Sequence, residues 1–125
     1  MARVRLHIHL DDDHSLGPGK IALLEGVERQ GSISAAARAM GMAYRHAWEM
    51  IDDLNQGLRQ VVVETESGGH TGGGARLTEF GEELVRRFRA MEAATERAIA
   101  RDLRALLPQD GAASAARKRG APRTR

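Results

Sequence analysis

The chain has 125 residues, enough for one domain with a modest core and an appendage. It contains no cysteine, which excludes disulfides, thiolate metal sites and Cys nucleophiles together and fits a reducing cytoplasm. The net charge of +2 is uneven: residues 108–125 hold five Lys and Arg against Asp110, leaving 14 Lys and Arg against 16 Asp and Glu in residues 1–107. Overall basicity is therefore no evidence of a nucleic-acid surface on the folded body.

Residues 4–10, VRLHIHL, alternate Val4, Leu6, Ile8 and Leu10 with Arg5, His7 and His9, the period of a half-buried strand. The N-terminus lacks the apolar segment of a signal peptide, and no apolar run reaches membrane-spanning length, so a soluble cytoplasmic protein is expected. DDDHSLGPG ends the strand. Ile21, Leu24 and Val27 then predict a helix of about three turns, with Pro18 acceptable in its first turn and Gly31 after its end.

The stretch GSISAAARAMGMAYRHAWEMIDDLN carries two apolar stripes. Ile33, Ala36, Ala37 and Met40 form the first; Tyr44, Ala47, Trp48, Ile51, Leu54 and Leu58 form the second. Gly41 separates them, since a glycine inside a helix costs about 1 kcal/mol relative to alanine and favours a C-cap. Ser32 is placed as the N-cap, its hydroxyl accepting from the N–H of Ala35. Small Ala36 and Ala37 permit close approach across a sharp turn, the requirement of a helix-turn-helix. With aromatics so few, Tyr44, Trp48, Phe80 and Phe88 are expected to supply much of the bulky core.

VVVETE and ARL, joined through the glycine-rich SGGHTGGG, predict a β-hairpin with a long tip. Thr78 caps a final helix in which Phe80, Leu84, Phe88, Met91, Ala98, Ile99, Leu103 and Leu106 recur over roughly 28 residues, or about 42 Å. That exceeds what one small domain needs, and a second copy is the simplest partner for the far half. Beyond Pro108 the composition predicts disorder. The expected fold is mainly α with a small β-hairpin wing: a winged helix-turn-helix over 1–77, a long dimerisation helix over 78–107 and a basic tail over 108–125.

The segments LGPGKIALLEGVERQGSISAAARAMGMAYRHAWEMIDDLN and VVVETESGGHTGGGARLTEFGEEL, and within them GSISAAAR, YR-AW and GGGARLT-FG, resemble the N-terminal DNA-binding domain of ModE-type molybdate-responsive regulators, related to that of LysR-type regulators. The resemblance covers about residues 3–107 and implies a dimeric, sequence-specific DNA-binding protein acting on transcription. Two departures stand out. The chain stops where the family's Mop-like oxyanion-binding part would begin, so molybdate binding is not expected of this chain alone. The family's Ser-Tyr-Arg-Arg is here Ala43, Tyr44, Arg45, His46, one hydroxyl and one permanent charge fewer.

A recognition helix offers its N-terminal residues to base edges, which makes Ala43, Tyr44, Arg45 and His46 the candidates for DNA contact. Arg45 stands first because it can donate twice to guanine O6 and N7; the alternatives for it are a phosphate contact or a pair with Glu49. Tyr44 shares the stripe of Trp48 and is expected in the core more than at DNA, and His46 can serve a phosphate, a base or solvent. Ser32, Ser34 and Arg38 are candidates for holding the phosphate backbone, and at the wing His70, Thr71 and Arg76 are candidates, with a plain hairpin tip favoured slightly for the first two. Glu49, Asp52 and Asp53 suggest that only the first turn of the recognition helix approaches DNA.

Enzymatic readings fall away. GPGK at 17–20 has His14 where a phosphate loop needs its leading glycine, and GGHTGGG at 68–74 has no lysine. His7, His9 and His14 with Asp11, Asp12 and Asp13 fit solvated surface better than a metal site, and the adjacent pairs Asp52–Asp53 and Glu82–Glu83 point about 100° apart. No enzyme and no cofactor are expected; the partners are double-stranded DNA and a second copy. The alternative is an interaction module that heterodimerises with a full-length regulator and binds DNA only weakly through its tail.

Overall fold

The computed structural model describes residues 2–66 and 73–108. A short hairpin, β1 (Ile8–His9) and β2 (Ser15–Leu16), precedes the helices α1 (Pro18–Gln30), α2 (Ile33–Ala39) and α3 (Tyr44–Leu58). A second hairpin, β3 (Val63–Thr65) and β4 (Ala75–Leu77), leads into α4 (Glu79–Leu106). This is the mainly α, winged helix-turn-helix order expected from the sequence.

The chain punctuates itself as its residues dictate. Pro18 opens α1, where its missing N–H is no loss, and Gly31 closes it with φ 78° and an N–H bonded to the Val27 carbonyl at 2.8 Å. Ser32 caps α2, its hydroxyl accepting from Ala35 N–H at 3.0 Å. Gly41, at φ 69°, takes the left-handed conformation that separates α2 from α3. Thr78 caps α4 by accepting from Gly81 N–H at 2.9 Å while donating to the Val61 carbonyl at 2.7 Å. Gly81 itself is required by close approach, because a β-carbon there would overlap the Val62 carbonyl oxygen.

The N-terminal strand is shorter than the 4–10 alternation suggests. Only Ile8 and His9 pair, with Leu16 and Ser15, because the Asp11 carboxylate accepts the N–H groups of Asp13 and His14, each at 2.8 Å, and reverses the chain. DDDH is therefore a hairpin turn, not merely the end of a strand.

The core is aliphatic, a second correction. Ile21, Leu23, Leu24 and Val27 of α1 meet Ala36 and Ala37 of α2, Ala47, Ile51 and Leu54 of α3, and Val62. Of the four aromatic residues only Phe88 is fully buried; Trp48 and Phe80 are partly covered. Tyr44 is 55% exposed. It opens α3 one turn ahead of the Ala47–Ile51–Leu54 contact, and its ring meets Trp48 edge-on with centroids 6.4 Å apart.

A polar cluster holds the C-terminal half of α3. The Lys20 ammonium donates to the Asp53 carboxylate and to the Ser15 carbonyl at 2.7 Å, and Ser15 N–H donates to Asp53 at 3.3 Å. His14 places Nδ1 at 2.9 Å from the Asp11 carboxylate and Nε2 at 3.4 Å from Gln56 Oε1. The first hairpin, α1 and the C-terminal half of α3 are thereby fastened together.

These contacts set the pH response. Hydrogen bonding to Asp11 holds the His14 imidazole above its usual value. The stability it contributes is complete below the unfolded value near 6.5 and is lost as pH rises through the folded one. For Asp53, partial burial acts to raise the carboxyl, but hydrogen bonds from Lys20 and Ser15 outweigh it and hold the group below the ordinary carboxylate range. That contribution is present above the unfolded value and is lost on acidification through the folded one. Urea melts across pH should therefore show a decline above about pH 6.5 that His14→Gln removes, and an acid decline that His14→Gln retains.

At the wing, Val63 pairs with Leu77, Glu64 with Arg76 and Thr65 with Ala75. The Asn55 side chain accepts from Val62 N–H at 2.9 Å, and Ala75 N–H donates to the Gly31 carbonyl at 2.8 Å, so the hairpin is tied at its base to α3 and at the loop end of β4 to the α1–α2 turn.

The chain forms two compact units that divide after Glu92. The first takes in the start of α4, beyond the expected division at 77/78, because Gly81, Leu84 and Phe88 are buried there and Arg89 bonds Glu25 at 2.8 and 3.0 Å. In the second, residues 93–106 continue as helix, and Leu106 is 79% exposed. The basic tail beyond Pro108 lies outside the described residues. No helix among the described residues is long and apolar enough to cross a membrane.

Candidate nucleic-acid interface

At about 100° per residue, Arg45, Glu49, Asp52 and Gln56 fall within an arc of about 60° on α3, opposite the buried Ala47, Ile51 and Leu54. All four are exposed. Arg45 has no hydrogen-bond or ion-pair partner among the described residues, and the pairing with Glu49 allowed by their spacing is not made. Glu49 instead lies 3.5 Å from Nδ1 of His46, with both side chains well exposed.

Ala43 is the N-cap of α3, extended at φ −68° and ψ 146°, and supplies no side-chain bond to the free N–H groups of the first turn. The hydroxyl missing relative to the ModE-type pattern falls at the N-cap position of α3. Ala43→Ser should raise stability by about 1 kcal/mol, read as a shift in the urea midpoint at unchanged slope.

On α2, Ser34 and Arg38 are both exposed, and the Arg38 guanidinium donates to the Ser34 hydroxyl at 3.2 Å. Ser32 is committed to its cap. Arg76 on β4 is exposed and donates to Glu64 at 3.3 Å. His70 and Thr71 lie outside the described residues. A cleft of about 200 Å³ runs between the start of α3 and the wing, with Ser32, Ser34, Tyr44, Trp48, Thr65 and Gly74 along it.

That cleft brings Ser32, Ser34 and Tyr44 together, and it corrects the expectation that Tyr44 belongs to the core. Trp48 and Thr65 line it too; the sequence assigns Trp48 to the core and gives Thr65 no role. The i+4 spacing of Tyr44 and Trp48 is the only signal that could have found the tryptophan.

The comparisons agree with this architecture. Residues 19–82 match the family described as bacterial regulatory helix-turn-helix protein, lysR family. The chain belongs to the LysR-type helix-turn-helix family. Its LysR-type domain is 42% identical over 84 residues to the molybdenum-pterin-binding protein MopA of Rhodobacter capsulatus, covering 67% of this chain and 32% of that protein. It is 36% identical over 87 residues to ModE of Escherichia coli K12, a DNA-binding transcriptional dual regulator, covering 70% and 33%. The ModE-type resemblance is borne out, and the chain spans about a third of the length of these relatives. Among solved structures, the CbnR DBD–DNA complex matches with a TM-score of 0.55 at 20% identity, covering 71% of this chain and 97% of that one, a likeness of fold.

Proposed function

We propose that the LysR-type domain is a sequence-specific transcriptional regulator that reads duplex DNA as a homodimer, with the N-terminal turn of α3 in the major groove. The observation that carries this is Arg45: an exposed guanidinium at the head of the outward line of α3, with no partner among the described residues. Arg38 and Ser34 on the preceding helix and Arg76 on the wing then supply phosphate contacts on either side.

Support for the second copy comes from α4. Met91 and Leu106 are exposed apolar residues on the stripe that Phe80, Leu84 and Phe88 begin. A groove of about 770 Å³ in the first unit has Leu58, Phe80 and Met91 along it, together with the charged Glu79, Glu82, Glu83, Arg86 and Arg87. An identical helix is the covering a twofold-symmetric assembly would supply, and the proposed dimer reads half-sites about one DNA turn, roughly 34 Å, apart. Molybdate binding is no part of the proposal for this chain.

Recovery of genomic fragments by the purified chain at near-physiological salt tests it, because contacts to phosphate weaken steeply with salt while base readout persists. Enrichment of an imperfect palindrome is the expected result. Recovery without sequence preference would instead favour an interaction module that pairs with another regulator.

A further inference from the structure

Glu49 is an anomaly on a DNA-facing helix. It lies on the outward line of α3, is 65% exposed, and belongs to the second turn, one turn beyond the limit its charge alone suggests for DNA contact. A carboxylate there is repelled by phosphate unless a donor meets it. Arg45, one turn earlier on the same line, does not neutralise it; His46, on the flank, approaches it at 3.5 Å.

The rise from position 45 to 49 is about 6 Å, close to two base-pair steps at about 3.4 Å each. In the major groove the base edge that offers a donor without a neighbouring acceptor on the same base is cytosine, through its N4 amine, and Glu is among the side chains that accept from it. The geometry points to Glu49 as a second base-reading residue, its carboxylate accepting from cytosine N4 about two base pairs from the guanine that faces Arg45. This rests on the major-groove reading proposed above. One carboxylate oxygen serves the base while the other stays beside the His46 ring, 3.5 Å away. Asp52 has a shorter side chain and sits a further turn along a straight helix that leaves the curved groove, while Gln56 lies opposite His14. The readout therefore ends at Glu49.

The test uses the full chain and a set of duplexes carrying the recovered half-site with every single base-pair change. Glu49→Ala should erase the preference at one C·G pair, a smaller loss of discrimination than that expected for the bidentate Arg45 contact, while the preference at the Arg45 guanine stands. Glu49→Gln should shift that same position toward adenine, which the amide can meet at N6 and N7. Should Glu49→Ala leave every base preference intact and tighten binding to all sequences alike, Glu49 is only a repelled surface carboxylate and the assignment is overturned. If the wild-type chain itself shows no base preference, the major-groove reading fails and Glu49 falls with it, an outcome distinct from one in which Arg45 still discriminates.

Discussion

Arg45→Ala is expected to lower discrimination between the recovered site and unrelated DNA by roughly 5- to 150-fold, the worth of one bidentate guanine contact. The guanidinium presents a fork of donors with no acceptor spent on it among the described residues, so none of the contacts that hold the fold there is lost with it. Thermal stability should stay within about 0.5 kcal/mol of wild type, as for surface substitutions generally, and the oligomeric state should not change. Binding isotherms over a salt series separate base from phosphate. Loss at the guanine alone marks base readout; a uniform loss across sequences, with the salt slope reduced by about one, would move Arg45 to the backbone. Arg45→Lys should recover phosphate affinity but little of the selectivity, because an ammonium cannot form the paired contact.

Phe88→Ala should cost about 3–5 kcal/mol of unfolding free energy. Phe88 is the one fully buried aromatic residue, and it anchors the first half of α4 in a core otherwise built from Leu, Ile, Val and Ala. Its removal leaves a cavity the stiff helix cannot collapse to fill. A loss of that size is a large share of the 5–15 kcal/mol typical of a whole domain. Urea denaturation at fixed protein concentration measures it, and Phe88→Leu, which keeps more of the volume, should fall between. A loss below about 1 kcal/mol from Phe88→Ala would mean that α4 is not anchored through this ring.

Much of the architecture is legible in the sequence because it rests on local rules. Ser32 and Thr78 cap helices, Gly31 and Gly41 stop them, and the 3.6-residue stripe of α4 runs over the 28 residues it was expected to span. What was not legible depends on contacts between distant residues or on side-chain choices. Nothing in a single sequence couples Lys20 with Asp53, 33 positions away, yet that pair fastens α3. The alternation of residues 4–10 continues to the eye past the point where the Asp11 side chain turns the backbone. An apolar stripe identifies a buried face but not where its covering ends, so Tyr44 looked internal and lies open. At the candidate interface, spacing allowed Glu49 to pair with Arg45; the side chains instead bring it to His46 and leave Arg45 without a partner among the described residues.

The most direct measurement of the proposed function changes the DNA. Inserting about 5 bp, half a helical turn, between the half-sites of the recovered sequence places them on opposite faces of the duplex. If two α3 helices are held in a fixed dimer, affinity should fall to that of a single half-site and return in large part when the insertion is a full turn. Affinity unchanged by the half-turn insertion would contradict a dimer that reads two successive major grooves on one face of DNA.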